Sequence, residues 1–254
     1  MVEWGRSRRA KGGSGNLAQM NMASATRGTF LVCLGLLAAG PAAAKSRAVA
    51  ESPLAVGIAA APPQSASSKP RAKFVTARAS KAARTVADWV TATGDNLELP
   101  FLIVDKINAQ VFAFSADGTP RGSAAVLIGL ARGDTSPAGI GDRRLAEIAP
   151  ADRITPAGRF IAALGNDLGP EDIVWVDYDT GVSLHRVVRG KPTDRRLRRL
   201  TSASAGDNRI TYGCINVLPQ FFDGVVRPLL KGTNGMVYIL PDVKPLREVF
   251  AIPS

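Results

Sequence analysis

The sequence predicts a mainly β domain with a few helices packed outside it. Short runs of β-branched and aromatic residues recur from residue 101 onward, and turn residues separate them. Helical spacing of apolar residues is confined to a few short windows. The 254 residues, 46% of them hydrophobic, suffice for one domain with its own core plus flexible sequence.

The predicted strands are short and most are bounded by turn residues. Asn108-Ala109 and Asp117-Gly118 predict turns between the first three strands. Pro and Gly predict a loop-rich segment over residues 131–159. The expected strands cover residues 101–104, 110–114, 123–130, 173–176, 182–188 and 236–240.

Three windows predict helices outside this sheet. Residues 81–92 place apolar side chains on one side, and Gly94 ends the pattern. Residues 193–200 alternate charge and leucine at helical spacing. Residues 218–230 predict a helix opened by Pro219, because proline is tolerated in a first helical turn.

The N-terminus predicts export. Residues 28–40 form a short apolar run that follows Arg27 and precedes Ala42-Ala43-Ala44, which is typical of a signal peptide over 1–44 cleaved after Ala44. The run is short for a membrane span, and an uncleaved anchor is the alternative. Residues 45–96 then predict an Ala/Pro/Ser-rich linker with a short helix, and residues 97–254 predict the folded domain.

Charge and residue types narrow the partners. A net charge of +11 suits an anionic partner, which is a nucleic acid, an acidic envelope polymer or a membrane surface, and export argues against nucleic acid. One histidine and one cysteine beyond the predicted signal peptide do not make an ordinary zinc site, so no metal is expected. The sequence contains no Walker loop and no Gly-x-Ser-x-Gly elbow.

Cys214 and His185 are the residues that could carry chemistry. Each has a simple structural interpretation, as a small buried hydrophobe and a hydrogen-bonded core histidine. The alternative is thiolate catalysis, which needs one cysteine and one histidine. Gly213 allows close backbone approach, and the helix expected after Cys214 would favour a thiolate at its N-terminus.

The residues around Cys214 resemble a known family. Thr211-Tyr212-Gly213-Cys214-Ile215-Asn216 is similar to the Ser/Thr-His-Gly-Cys-hydrophobic-Asn/Arg signature of the L,D-transpeptidase (YkuD-type) catalytic domain. Thr155-Pro156-Ala157-Gly158-Arg159-Phe160 resembles that family's Thr-Pro-x-Gly-x-Phe element. The resemblance covers roughly residues 98–241.

The resemblance implies a YkuD-like β-rich fold in the periplasm or cell envelope, acting on peptidoglycan stem peptides without a cofactor. Cys214 would be the nucleophile and His185 the general base. Gly213, Tyr212, Thr211 and Asn216 would form the active-site loop, with backbone N–H groups near Gly213 and Cys214 holding an oxyanion. The backbone carbonyl of Arg186 would orient His185. Independently of the resemblance, the positive charges of Arg186 and Arg209 make their side chains candidates for binding substrate.

Three departures from the family pattern leave alternatives open. Tyr212 replaces the signature histidine, and Arg186 stands where a glycine usually follows the base. The segment between His185 and Thr211 is longer than usual and rich in arginine, which predicts either a solvated face or a basic lid over the site. The alternative functions are an L,D-carboxypeptidase or hydrolase of the same fold, and a non-catalytic envelope-binding module.

Overall fold

An eight-stranded mixed sheet organises the residues that the structure, a computed structural model, describes; these are residues 79–166 and 170–253. The strands are β1 (Phe101–Asp105), β2 (Gln110–Phe114), β3 (Pro120–Ala125), β4 (Ile128–Gly129), β5 (Gly158–Asn166), β6 (Asp172–Asp177), β7 (Val182–Arg186), β8 (Arg209–Thr211), β9 (Ile215–Val217) and β10 (Gly235–Ile239). The large sheet has the order β3-β2-β1-β10-β5-β6-β7-β9, and β4 and β8 form a separate pair. Within the large sheet, β10 runs parallel to β1 and β9 runs parallel to β7, while the other neighbours are antiparallel.

The helices are few and mostly short. They are α1 (Lys81–Thr93), α2 (Arg196–Leu200), α3 (Pro219–Phe221), α4 (Arg227–Leu230) and α5 (Leu246–Val249). A π-helical segment, Phe222–Val226, joins α3 to α4. It lies directly before Pro228, which has no N–H for the carbonyl of Gly224 and so breaks the α-helical ladder. The expected helix over residues 218–230 is therefore present with a wider turn in its middle.

The prediction of a mainly β domain with a few packed helices is confirmed. Helix α1 and the turns at Asn108-Ala109 and Asp117-Gly118 lie where expected, with Ala109 at φ 49° and Gly118 at φ 81°. The strand expected over 123–130 is two strands, because β3 pairs with β2 whereas β4 pairs with β8. Strands β5, β8 and β9 were not predicted. Strands β8 and β9 are only three residues long, and β5 begins inside the segment that was expected to be loop-rich.

Two hydrophobic clusters cover opposite faces of the sheet. One face of β1 and β10 presents Phe101, Ile103 and Tyr238 to α1. The other face carries the larger cluster, in which side chains such as Leu184 and Ile215 pack together with the helical segment 219–230. Because side chains alternate along a strand, the neighbours of Leu184 and Ile215 on β7 and β9 point away from this larger cluster.

Helix α1 belongs to the folded domain. Ser80 accepts a hydrogen bond from the Ala83 N–H at the N-terminus, and Gly94 ends the helix in a left-handed conformation. Ala83, Val86 and Val90 are fully buried against the sheet. Helix α1 thus packs against the sheet of the domain that was expected over residues 97–254. The predicted signal peptide, residues 1–44, and the linker up to residue 78 lie outside the described residues.

Helices long and apolar enough to cross a membrane are absent from the described part of the chain.

Candidate active site

The parallel pairing of β7 with β9 brings four polar side chains together. In this register Leu184 lies beside Ile215, and His185 lies beside Asn216. Ser183 precedes Leu184 on β7 and Cys214 comes directly before β9, so these two residues are also neighbours. All four side chains point away from the larger hydrophobic cluster, because Leu184, Ile215 and Val217 point into it.

Cys214 and His185 lie close enough for each to shift the pKa of the other. The Ser183 hydroxyl lies 3.6 Å from Cys214 Sγ. Burial by itself raises the pKa of the Cys214 thiol, but His185 and the hydroxyl and backbone N–H of Ser183 outweigh it and hold that pKa below its ordinary value. Cys214 as a residue is half-buried.

The pKa of His185 is shifted upward, whereas that of Cys214 is shifted downward. The side chain is 7% exposed, and burial by itself lowers the pKa of the imidazole. The hydrogen bond and charge of Cys214, together with the Arg186 carbonyl, outweigh burial and raise the pKa of His185. A lowered thiol pKa beside a raised imidazole pKa is the pattern of a thiolate–imidazolium pair.

The backbone carbonyl of Arg186 fixes which ring nitrogen carries a proton. His185 Nδ1 lies 2.8 Å from that oxygen. A carbonyl oxygen only accepts hydrogen bonds, so Nδ1 is the protonated nitrogen. Any proton exchange between the ring and the thiol would therefore use Nε2, which also lies 3.0 Å from Asn216 Nδ2.

The turn before Cys214 is held by two threonine hydroxyls. Thr211 Oγ1 donates to the Cys214 carbonyl over 2.6 Å and accepts from the Gly213 N–H over 3.2 Å. Thr155 Oγ1 donates to the Gly213 carbonyl over 2.7 Å and accepts from the Gly129 N–H over 2.9 Å. Gly213 has φ 132°, and a Cβ there would lie 2.8 Å from the Ile154 carbonyl oxygen.

The site corrects two details of the sequence-based expectation. The Gly213 N–H donates to Thr211 and is therefore engaged within the turn, whereas the expectation placed it at an oxyanion. The cysteine also does not sit at a helix N-terminus, because β9 separates it from α3. The low thiol pKa therefore comes from β7, through His185 and Ser183.

The remaining predicted residues lie around this core. Tyr212 is half-buried, and the Arg153 guanidinium stacks 4.1 Å from the centre of its ring. The Arg186 side chain pairs with Asp172 and Asp223.

The Arg209 side chain is 9% exposed, and its guanidinium pairs with the buried Asp242. The donors of Arg209 are thus engaged inside the domain, with Asp242 and with the backbone carbonyls of Ala131 and Lys106.

The basic segment after His185 is not uniform. Arg189, Arg195 and Arg198 are exposed. Arg199 donates to the backbone carbonyls of Asp194 and Asp207. Arg196 is 13% exposed and contacts Asn216. The sequence predicted one role, a solvated face or a lid, for the whole segment. In the structure some of its arginines are exposed and others are hydrogen-bonded within the domain.

Three contributors were missed by sequence reasoning. Ser183 was placed on the face of His185 but given no role, and Thr155 was noted only as part of a resembling element. Arg196 was counted within a charge run. Strand register would have found Ser183, but that register depends on pairing across thirty residues.

Clusters of three or more metal-ligating side chains do not occur among the described residues.

Comparison with solved structures identifies proteins that are similar to this chain. The chain is similar to the helical cell shape determining protein Pgp2 from Campylobacter jejuni, with 14% identity and a TM-score of 0.38 over 65% of this chain and 58% of that one. It is also similar to the catalytic domain of the E. faecium L,D-transpeptidase, with 19% identity and a TM-score of 0.33 over 56% of this chain and 98% of that one. No protein-family model and no curated protein match the chain. At these values neither protein's activity transfers to this chain.

Proposed function

We propose that the protein is a peptidoglycan L,D-transpeptidase in which Cys214 transfers an acyl group from a tetrapeptide stem to an amine. The observation that carries this proposal is the contact of Cys214 with His185 on adjacent strands, inside a hexapeptide that resembles the signature of that family. The lowered pKa of Cys214 and the raised pKa of His185 support nucleophilic use of the thiol.

The first half-reaction forms a thioester. The Cys214 thiolate attacks the carbonyl carbon that precedes the terminal D-residue, and Nε2–H of His185 protonates the leaving amine as the C–N bond breaks. The Cys214 N–H, next to the reacting sulfur, would donate to the oxyanion. His185 is then neutral and holds its remaining proton on Nδ1, against the Arg186 carbonyl.

The second half-reaction resolves the thioester. An amine of a second stem, or of an envelope protein, attacks the thioester carbonyl, and His185 Nε2 takes its proton as the C–S bond breaks. The thiolate and the imidazolium are thereby restored, and no cofactor enters the balance. Water in place of the amine would give the L,D-carboxypeptidase alternative.

The exposed arginines of the segment fit an anionic substrate. We propose that Arg189, Arg195 and Arg198 attract stem carboxylates. Replacing all three by glutamine is expected to lower kcat/KM, and the loss shrinks as salt rises, because exposed charges are screened over about 8–10 Å at physiological ionic strength. Unchanged turnover at low salt would contradict this role and indicate that the segment is only a solvated face.

Product analysis tests the function. The full chain is incubated with a disaccharide-tetrapeptide, and release of D-alanine is followed together with the muropeptides. A crosslinked dimer identifies the transpeptidase, and a tripeptide alone identifies the carboxypeptidase. Release by the Cys214→Ser variant equal to that by the wild type contradicts both. Binding without release by the wild type would indicate the non-catalytic envelope module.

Export is part of the same proposal. Residues 1–44 would be removed and the remainder would act in the periplasm or envelope. N-terminal sequencing of envelope-extracted protein is expected to start after Ala44, and a start at Met1 in a cytoplasmic fraction would contradict it.

A further inference from the structure

The side chain of His185 also contacts Asn216. Asn216 Nδ2 is 3.0 Å from His185 Nε2, and Asn216 Oδ1 is 3.2 Å from Arg196 Nη1. Arg196, Asn216 and His185 thus form a hydrogen-bonded chain that leads from the basic segment to the ring nitrogen facing the thiol. Asn216 is 1% exposed, so this chain is shielded from water.

Donor chemistry fixes the direction of this chain. A guanidinium has only donors, so Arg196 requires Asn216 to present its carbonyl oxygen. The amide nitrogen of Asn216 then faces His185 Nε2 as a donor. That contact is favourable only when Nε2 carries a lone pair, because a protonated Nε2 would place two N–H groups against each other.

Arg196 is itself held at both ends. Its Nε lies 3.2 Å from Asp194 Oδ2, while its Nη1 donates to Asn216. Gly190 passes close by, and a Cβ there would lie 2.7 Å from Arg196 Nε and 2.6 Å from Asp194 Oδ2. The segment is therefore shaped around the guanidinium, which cannot swing to present another group to Asn216 without breaking these contacts.

We propose that Arg196 is a positioning residue that acts through Asn216 to favour the neutral form of His185 with a free lone pair on Nε2. Two effects have the same sign, since the amide donates to Nε2 and the guanidinium charge opposes an imidazolium. The charged and titratable groups around the ring are Cys214, Arg196 and, one step further, Asp194. The charge of Arg196 lowers the pKa of His185, against the larger opposing effect of Cys214.

The consequence differs between the two half-reactions. An imidazolium is needed to keep Cys214 as a thiolate and to protonate the leaving amine, whereas a neutral Nε2 is needed to accept the proton of the incoming amine. Arg196 therefore favours the second step at some expense of the first. This consequence rests on the proposed function, but the state of the imidazole does not.

The single histidine of the chain makes the test direct. Long-range proton–nitrogen NMR spectra of the full chain, labelled at histidine, report the pKa and the tautomer of His185 alone. Arg196→Met keeps an apolar stem and removes both charge and donors, so the pKa of His185 is expected to rise. Arg196→Lys restores charge and donors and is expected to return the pKa toward that of the wild type.

Arg198→Met is the matched control. Arg198 lies on the same short helix and is exposed, so its removal changes net charge equally without touching Asn216. The His185 pKa is expected to stay as in the wild type. Equal shifts with Arg196→Met and Arg198→Met would reduce the effect to general charge and overturn the proposal.

A second variant tests the proposal in case Arg196→Met does not fold. Asn216→Asp keeps an acceptor for Arg196 but presents an oxygen to Nε2, so it too is expected to raise the pKa of His185. An unchanged or lowered pKa in this folded variant overturns the proposal. An Arg196→Met protein that loses thermal stability while its imidazole behaves as in the wild type would show a merely structural anchor, and overturns it equally.

Kinetics separate this proposal from the proposed function. At pH 6, Arg196→Met is expected to speed alkylation of Cys214 by neutral iodoacetamide up to about tenfold, since one pKa unit changes the reactive fraction tenfold. Peptide mapping distinguishes Cys214 from Cys33. Resolution of the stem thioester is expected to slow. If the imidazole and alkylation results appear but no variant forms a thioester, the proposed function fails and the role of Arg196 stands.

Discussion

The reactivity expected of Cys214 depends on side chains that lie one strand away. His185 and Ser183 both belong to β7, and both lower the pKa of the thiol. Burial opposes them, so the sulfur is a useful nucleophile only while these partners remain. A buried cysteine without them would be inert.

Replacing His185 by alanine tests this balance. The alkylation rate of Cys214 is measured against pH with iodoacetamide. In the wild type the thiolate persists below its ordinary pH range, because a lowered pKa keeps the charged form at lower pH. In His185→Ala the midpoint is expected to move up to at least the ordinary thiol value of about 8.5, since burial then acts with less opposition.

Ser183→Ala serves as the graded comparison. The variant loses the hydroxyl 3.6 Å from Sγ but keeps its backbone N–H and His185. Its alkylation midpoint is expected to lie between those of the wild type and His185→Ala. Coincident profiles for all three proteins would show that β7 does not activate the thiol.

At the scale of elements, the site depends on a turn held from two sides. Thr155 ties the Gly213 carbonyl to β4, and Thr211 ties the Gly213 N–H to the Cys214 carbonyl. These bonds set the direction in which Cys214 enters β9. The turn is thus positioned by segments that are far apart in sequence.

Thr155→Val is expected to loosen this turn. The side chain keeps its shape, but a buried N–H and a buried carbonyl lose their partner, which costs about 2 kcal/mol of unfolding free energy. Urea denaturation measures the loss, and Cys214 alkylation at neutral pH is expected to fall with it. A variant as stable and as reactive as the wild type would contradict the role of Thr155.

The sequence predicted the elements that local pattern controls. Residues 81–92 carry a helical stripe with a cap at each end, and the hairpin at Asn108-Ala109 has its turn residues in place. Strand β9 is only three residues long and lies inside the hexapeptide around Cys214. Its sequence is too short to show the alternation of apolar and polar residues that predicts a strand. The pairing of Cys214 with His185 was expected from the resemblance, whereas Ser183 and Arg196 required the register of β7 with β9.

Across the whole molecule, a buried ionic cluster joins distant parts of the chain. Lys106 Nζ lies 3.0 Å from Asp134 and 3.6 Å from Asp242, and it donates to the Thr155 carbonyl over 2.8 Å. Asp134 also accepts from the backbone N–H groups of residues 242–244. The cluster therefore links the β1–β2 turn, the segment around Thr155 and the chain after β10.

Acid is expected to weaken this cluster. Burial by itself raises the pKa of Asp134, but backbone donors and Lys106 outweigh it and lower that pKa from 3.8 to about 2. The carboxylate therefore contributes about 2 kcal/mol of stability above pH 4 that is lost as the pH falls through 2. Asp134→Asn, measured by urea denaturation from pH 7 to pH 2, is expected to be less stable at pH 7 and to lose less on acidification.

The matched control for that variant is Asp117→Asn. Asp117 is an exposed turn residue that bonds only its neighbour Thr119 in the described structure, so its replacement is expected to have a small effect at pH 7. If Asp134→Asn retains both the stability and the acid sensitivity of the wild type, the buried cluster does not hold these segments together.

Intact-mass analysis with a carbapenem shows whether Cys214, activated by His185, is an acylating nucleophile. Carbapenems acylate the cysteine of the family that the hexapeptide resembles. The full chain is expected to gain the mass of one carbapenem on Cys214, with slower gain in His185→Ala and none in Cys214→Ser. No adduct on the folded wild type, or an adduct that survives in Cys214→Ser, would contradict the account.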